Sequence, residues 1–149
     1  MRVLVQRVSG ASVEVGDRTV GAVGRGLVVL VGVGREDDET CARKMAAKLA
    51  NLRIFDDAAG KTNLSLLDVG GEALVVSQFT LYADCRKGRR PSFTDAGDPE
   101  IAAALVEVFR EELEAHGVTT AAGVFGAHMT VRLVNDGPFT IFLDSPDFV

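Results

Sequence analysis

The chain begins with segments in which apolar side chains recur at every second position. Residues 1–15 show this alternation, and the turn residues Gly16 and Asp17 that follow predict a hairpin with residues 19–23. Residues 26–34 are instead apolar almost throughout, which is typical of a strand covered on both faces. The start of the chain is therefore predicted to form strands.

Two later segments carry their apolar residues at helical spacing. The first, about residues 38–52, has acidic residues in its first turn, where they favour the helix dipole. The second, about residues 98–116, begins with Asp98 and Pro99, which suit the start of a helix, and Gly117 suits its end. With the strands around them, these helices predict one α/β domain over residues 1–149.

The stretch Val75–Ala83 starts as a buried strand and then becomes polar. Ser77, Gln78 and Thr80 place hydroxyl and amide groups where a core strand would carry aliphatic side chains. Buried polar groups are costly unless they are hydrogen-bonded. We therefore expect a strand whose polar side chains are satisfied internally or line a pocket, and we favour the pocket.

A second unusual stretch lies near the end of the chain. Residues 129–134 alternate as a strand and residues 141–143 resume the pattern, but Gly137 and Pro138 lie between them. Proline cannot donate a hydrogen bond to a neighbouring strand. The stretch is therefore a tight turn, a sheet edge or a cis peptide bond.

Composition restricts the class of protein without naming its chemistry. With 47% hydrophobic and 25% charged residues, the chain is too apolar for wholesale disorder. A net charge of −5 argues against a general nucleic-acid coat protein, yet the loop Arg86–Arg90 carries four basic residues. Those charges either keep a solvated loop soluble or contact phosphates beside a pocket.

The location expected from sequence is the cytoplasm. Cys41 and Cys85 are far apart and form no CxxC motif, which fits a reducing compartment. No signal-peptide pattern and no membrane-length apolar run are present.

Standard catalytic patterns are absent from the sequence. The two histidines, His116 and His128, lie in no recognisable triad, and with the cysteines they match no common zinc spacing. The glycines of residues 26–34 follow no phosphate-loop pattern. Chemistry without a strong side-chain acid or base suits an activated substrate such as an ester, for which oxyanion stabilisation and a positioned water suffice.

Two segments resemble the signature motifs of a known family. Ser77–Leu81 and Asn135–Thr140 are similar to the two motifs of the D-aminoacyl-tRNA deacylases (the D-tyrosyl-tRNA(Tyr) deacylase family) in their bacterial and eukaryotic form. The resemblance extends to Gln6–Val8, Arg53–Phe55 and Arg90–Phe93, in order along nearly the whole chain. Both motifs together are far more specific than either alone.

The resemblance implies an activity, a fold and an assembly. The family hydrolyses the ester between a D-amino acid and the tRNA 3′ end, and it also acts on glycyl-tRNA. Its members are homodimers with a single-domain α/β fold of mixed, barrel-like sheet layers, and they need neither metal nor cofactor. The expected partners are therefore an aminoacyl-tRNA 3′ end and a second copy of the chain, with no membrane.

The resemblance also implies the catalytic residues, Ser77, Gln78, Phe79 and Thr80. Thr80 is the family's proposed nucleophile. In the alternative account, main-chain N–H groups near Phe79 and Thr80 stabilise the oxyanion, and the terminal ribose 2′-OH activates water. A threonine hydroxyl is a poor nucleophile without a neighbouring base, and the sequence presents none, so we favour the second account.

Chiral selection is implied for Gly137 and Pro138. Their peptide bond would be cis and would reach into the partner subunit's pocket, where rigid main chain excludes every L side chain. Arg7 would fix this loop by donating to a buried carbonyl, although an exposed strand arginine is the simpler interpretation of its position.

Substrate binding is implied for two further groups. Phe125 and Met129 match positions that hold the terminal adenine, consistent with stacking of single-stranded ends on apolar groups. Lys87, Arg89 and Arg90 would hold acceptor-stem phosphates without reading sequence.

Two other functions are compatible with the sequence. The chain could be an inert module that binds charged tRNA ends without turnover. It could also be a small-molecule esterase that uses Ser77 and ignores tRNA.

Overall fold

A computed structural model describes residues 1–148 as a six-stranded mixed sheet, a separate two-stranded sheet of β4 and β5, and two helices. The elements in chain order are β1 (Arg2–Val15), β2 (Arg18–Val23), β3 (Gly26–Gly32), α1 (Glu39–Ala50), β4 (Phe55–Asp56), β5 (Thr62–Leu64), β6 (Glu72–Ser77), a 3₁₀ turn (Phe79–Tyr82), α2 (Pro99–Ala115), β7 (Thr119–Ala122), β8 (Thr130–Asp144) and a short 3₁₀ turn (Ser145–Asp147). Both predicted helices are confirmed and end within two residues of the predicted bounds.

The sheet runs in the order β2-β1-β3-β6-β7, and β8 pairs with β1 outside this path. The pairs of β1 with β2, β3 and β8 are antiparallel, whereas β6 is parallel to both β3 and β7. The two ends of the path approach each other, since a Cβ added at Gly21 of β2 would lie 2.8 Å from the Ala122 carbonyl oxygen of β7. The sheet is therefore nearly closed, which confirms the mixed, barrel-like α/β fold.

Apolar residues cover both faces of the sheet. One cluster joins the two helices to β1, β3 and β6, and its largest buried side chains include Phe55, Phe109, Met45, Leu49 and Leu113. A smaller cluster lies on the other face and includes Val8, Val13, Val28, Leu74 and Val76. Because β3 is buried on both sides, its continuous apolar run follows directly from its central place. Within residues 1–148, neither helix is long and apolar enough to cross a membrane.

The strand predicted over Val75–Ala83 is wrong beyond its first residues. β6 ends at Ser77, and the chain turns at Gln78 (φ −146°, ψ 79°) into the 3₁₀ turn. The neighbours explain this end, because β3 pairs with β6 only as far as Ser77 and β7 pairs only as far as Val75. Without partners on either side, the backbone has no ladder to continue.

The interruption predicted in the last strand is a bulge within a continuous β8. Gln6 of β1 pairs with Thr140 and Val8 pairs with Asn135, so residues 136–139 bulge opposite one β1 residue. The Gly137–Pro138 peptide bond in this bulge is cis, one of the three conformations that the sequence allowed.

Candidate active site

The 3₁₀ turn presents two main-chain donors that bond to nothing else in the described chain. The turn is fixed at its start by the Gln78 N–H, which donates to the Val31 carbonyl at 2.8 Å, and Leu81 N–H donates to the Gln78 carbonyl at 3.2 Å. Within residues 1–148, the amides of Phe79 and Thr80 donate no hydrogen bond. The first amides of any helical turn lack acceptors inside it, so these two remain available to an outside acceptor.

Glycines at the end of β3 make room for the turn. A Cβ at Gly32 would lie 2.9 Å from the Gln78 carbonyl oxygen and 3.1 Å from the Leu81 Cβ. A Cβ at Gly34 would lie 2.6 Å from the Tyr82 hydroxyl oxygen. These glycines, which match no phosphate-loop motif, therefore allow the 3₁₀ turn to pack closely on β3.

A cleft of about 620 Å³ lies beside the turn. Val31, Val33 and Val76 of the sheet form part of its apolar lining, and Pro99, Ala102 and Val106 of α2 line it as well. The cleft brings together five of the residues predicted for the site, namely Ser77, Gln78, Phe79, Phe125 and Met129. It lies where the sequence predicted a pocket, at the polar end of β6.

Exposed aromatic rings line this cleft. The Phe79 side chain is 58% exposed and meets the Phe93 ring edge-on, with centroids 5.0 Å apart. Phe125 is 43% exposed, and Met129 packs over Gly123, where an added Cβ would lie 2.5 Å from its sulfur. Exposed apolar groups gathered around a cavity are typical of a ligand site.

Thr80 does not line the cleft. Its hydroxyl oxygen accepts a hydrogen bond from the Gln78 side-chain amide, and within residues 1–148 it bonds to no histidine or carboxylate. The Thr80 side chain therefore has no base beside it that could make it a nucleophile.

His128 is the titratable side chain on the cleft lining, and the sequence assigned it no role. Its position next to Met129 was the available signal. Among residues 1–148, no group of three or more His, Cys, Asp or Glu side chains is arranged to hold a metal ion.

The basic loop begins and ends beside the cleft. Asp84 and Ser92 exchange two main-chain hydrogen bonds of 2.7 and 2.9 Å, next to the 3₁₀ turn on one side and Phe93 on the other. Arg86 donates two side-chain hydrogen bonds of 2.8 and 2.7 Å to the Asp84 carboxylate, and these bonds lower the pKa of Asp84 to about 2. The exposed residues Lys87, Arg89 and Arg90 form no ion pair within the described chain.

Arg7 is buried and clamps the Gly137–Pro138 bulge, contrary to the simpler interpretation of an exposed arginine. Its Nε donates to the Asp136 carbonyl and its Nη1 to the Ile54 carbonyl, both at 2.9 Å. Its guanidinium also lies 4.5 Å from the centroid of the Phe139 ring. Arg7 contacts both the bulge and the segment around Ile54, and alternation along β1 could not reveal the burial that these distant segments cause.

Asn135 fixes the same bulge from its other side. Its Oδ1 accepts from Phe139 N–H at 3.1 Å, and its Nδ2 donates to the carbonyls of Arg7 and Phe139 at 2.8 and 3.0 Å. A Cβ at Gly137 would clash with the Phe139 main-chain nitrogen, so only glycine fits there. Gly137 and Pro138 themselves are exposed and do not line the cleft of their own chain.

The fold and the cleft define a small α/β protein with an apolar cleft beside exposed main-chain donors. A family model described as D-Tyr-tRNA(Tyr) deacylase matches residues 4–144. A relative from Roseiflexus sp. (strain RS-1), named D-aminoacyl-tRNA deacylase, is 65% identical over 148 residues, covering 99% of this chain and 96% of the relative. The chain therefore belongs to the D-Tyr-tRNA(Tyr) deacylase family.

Two solved structures share the fold. One, named c-Myc DNA Unwinding Element Binding Protein, superposes with a TM-score of 0.92 at 42% identity, covering 98% of this chain and 99% of the other. The second, described as a probable eukaryotic D-amino acid tRNA deacylase, has a TM-score of 0.85 at 21% identity, covering 95% of this chain and 97% of the other. At that identity the second likeness is one of fold.

Proposed function

We propose that this protein hydrolyses the ester bond of D-aminoacyl-tRNA and releases free tRNA and a D-amino acid in the cytoplasm. Membership of the deacylase family supports this activity. The observation that carries it is the pair of unbonded amides, those of Phe79 and Thr80, in a turn beside an apolar cleft. Such donors stabilise the oxyanion that forms when water attacks an ester.

The reaction needs no covalent intermediate. Water adds to the ester carbonyl carbon, and the carbonyl oxygen becomes an oxyanion that accepts hydrogen bonds from the Phe79 and Thr80 amides. The tetrahedral intermediate then expels the ribose oxygen, which takes up the proton that the attacking water gives up, so that tRNA leaves with a free hydroxyl and the amino acid leaves with a free carboxyl group. We assign activation of the water to the 2′-OH of the terminal ribose, because Thr80 has no base beside it.

The terminal adenine would lie against Phe125 and Met129 on the cleft lining. The acceptor stem would reach Lys87, Arg89 and Arg90, whose loop begins and ends next to the 3₁₀ turn. Contacts of this kind hold phosphates without reading base sequence, so a broad range of tRNAs would bind.

Chiral selection would come from the Gly137–Pro138 bulge of a second subunit. The bulge is clamped by Arg7 and Asn135, so it can act as a rigid wall. A wall placed where an L side chain must go rejects all L-amino acids without choosing among D-amino acids. Glycine has no side chain to reject, so glycyl-tRNA would also be hydrolysed.

A homodimer would bring the Gly137–Pro138 bulge of one subunit to the cleft of the other. The bulge does not line its own cleft, and the same strand exposes Val134 (64%) and Phe142 (52%). Beyond β1, β8 pairs with no other strand among residues 1–148, so its outer edge is open. Exposed apolar side chains on an open edge strand favour association.

One assay separates this proposal from an inert tRNA-end-binding module and from an esterase that uses Ser77. Purified protein is incubated with D-tyrosyl-tRNA, L-tyrosyl-tRNA, glycyl-tRNA and a simple tyrosine ester, and release of the amino acid is followed. We expect rapid release from D-tyrosyl-tRNA and glycyl-tRNA only. Binding without release would support the inert module, and preferential cleavage of the simple ester would support the esterase.

A further inference from the structure

A polar cluster outside the cleft holds the C-terminal half of the 3₁₀ turn. Arg2 Nη1 donates to the Leu81 carbonyl at 2.9 Å, and the Arg2 guanidinium lies 4.5 Å from the centroid of the Tyr82 ring. The Tyr82 hydroxyl donates to Asp37 Oδ2 at 3.3 Å. None of these three side chains lines the cleft, and all three line a separate depression.

Asp37 joins this cluster to the end of β3. Its Oδ2 also accepts from Gly34 N–H at 2.6 Å, its Oδ1 contacts the Met1 ammonium, and its side chain is only 9% exposed. Burial, together with the charges of Asp37 and Asp144, raises the pKa of the Tyr82 phenol well above its usual range. Tyr82 therefore remains a neutral donor to Asp37 at physiological pH.

The turn needs such support if its amides are to act as an oxyanion hole. It spans only four residues, and a single 3₁₀ turn does not persist in water on its own propensity. Oxyanion donors must be fixed before the charge develops, and a misplacement of about 1 Å can cost on the order of 100-fold in rate. The contacts of Arg2 and Tyr82 lie one and two residues beyond Thr80.

We propose that Arg2, Asp37 and Tyr82 are positioning residues for the Phe79 and Thr80 amides. They touch neither substrate nor cleft, and they act by fixing Leu81 and Tyr82 against the end of β3. This inference rests on the proposed deacylase function. It predicts that loss of these contacts slows the chemical step while substrate binding is unchanged.

The test measures kcat and KM for D-tyrosyl-tRNA in Arg2→Met and Tyr82→Phe, which keep most of each side chain. We expect kcat to fall about tenfold in each, with KM within about twofold of wild type. The double variant should lose little more than either single variant, because the residues act as a unit. Asp144→Asn is the matched control, since it removes the charge of the carboxylate that pairs with Arg2 at 3.2 Å and leaves the contacts of Arg2 to Leu81 and Tyr82.

A second measurement does not depend on activity. ¹⁵N relaxation of the Phe79 and Thr80 amides should report increased motion in Arg2→Met and Tyr82→Phe but not in Asp144→Asn. Wild-type kcat in both variants, a rise in KM alone, or unchanged amide motion would each overturn the positioning role. If the wild type releases nothing from D-tyrosyl-tRNA, the proposed function fails, and the relaxation result still decides the inference. If Arg2→Met does not fold, Tyr82→Phe decides both measurements.

Discussion

The 3₁₀ turn and the Gly137–Pro138 bulge use the main chain in opposite ways. The turn leaves the Phe79 and Thr80 amides without acceptors beside a concave cleft. The bulge instead bonds its main-chain groups inward to Arg7 and Asn135 and exposes a glycine and a proline. Free donors suit the binding of a developing charge, whereas a fixed apolar surface suits exclusion.

The turn and the bulge share one property, which is that neither reads the substrate's side chain. Neither a main-chain amide nor a Gly-Pro wall recognises a particular amino acid. An enzyme built from both would accept many D-amino acids and reject many L-amino acids. Its specificity would depend on handedness and on the tRNA end.

The largest effect is expected for the group that activates water in the cleft. D-tyrosyl-tRNA ending in 2′-deoxyadenosine should be hydrolysed at least about 100-fold more slowly than the ribose substrate, because the group that activates water is missing. Rates are corrected for uncatalysed hydrolysis of each substrate, which also depends on the 2′-OH. Equal corrected rates would mean that a protein side chain activates the water.

The next effect concerns the bulge. Pro138→Ala should raise hydrolysis of L-tyrosyl-tRNA about tenfold relative to D-tyrosyl-tRNA, because the wall loses rigid bulk. Pro146→Ala, outside β8 and the cleft, is the matched control. If the ratio of the hydrolysis rates of the two substrates is unchanged in Pro138→Ala, the bulge takes no part in chiral selection.

A smaller effect is expected at the basic loop beside the cleft. Arg89→Ala should weaken tRNA binding and make the slope of log K against log salt less steep by about 1, as for one lost phosphate contact. Arg18→Ala, an exposed arginine on β2, should leave the slope unchanged. A slope that stays the same in Arg89→Ala would mean that Arg89 contacts no phosphate and serves only to keep the loop soluble.

The smallest effect is expected at His128. If the ribose 2′-OH activates water, His128→Asn should lower kcat less than about threefold, whereas loss of a general base would cost about 100-fold or more. The measurement is the pH–rate profile of the variant beside that of the wild type. A large loss together with a changed acid limb would make His128 the base and contradict a purely main-chain site.

Local patterns predicted the helices and much of the sheet. Asp98 accepts hydrogen bonds from the first amides of α2, and Pro99 begins it, as their types indicated. Alternation of apolar residues predicted which side chains of β1 face the interior, and an unbroken apolar run identified β3 as a central strand. These features depend on neighbours in sequence, which is why composition and spacing were sufficient.

Non-local features were not predictable in the same way. β6 ends at Ser77 because its partner strands end, and those partners lie far away in the chain. Gly32 and Gly34 indicated that some part of the chain packs closely against the end of β3, but only the structure shows that this part is the 3₁₀ turn. The burial of Arg7 and the place of His128 on the cleft likewise depend on segments that are distant in sequence.

The most direct test compares the side chain and the main chain of Thr80. Thr80→Ala removes the hydroxyl, and the α-hydroxy acid analogue of threonine at this position puts an ester oxygen in place of the N–H, which bonds to nothing within residues 1–148, and keeps the side chain. We expect Thr80→Ala to keep kcat for D-tyrosyl-tRNA within about threefold and the analogue to lower it about 100-fold. Loss of hydrolysis in Thr80→Ala, with the analogue at the wild-type rate, would contradict the main-chain account.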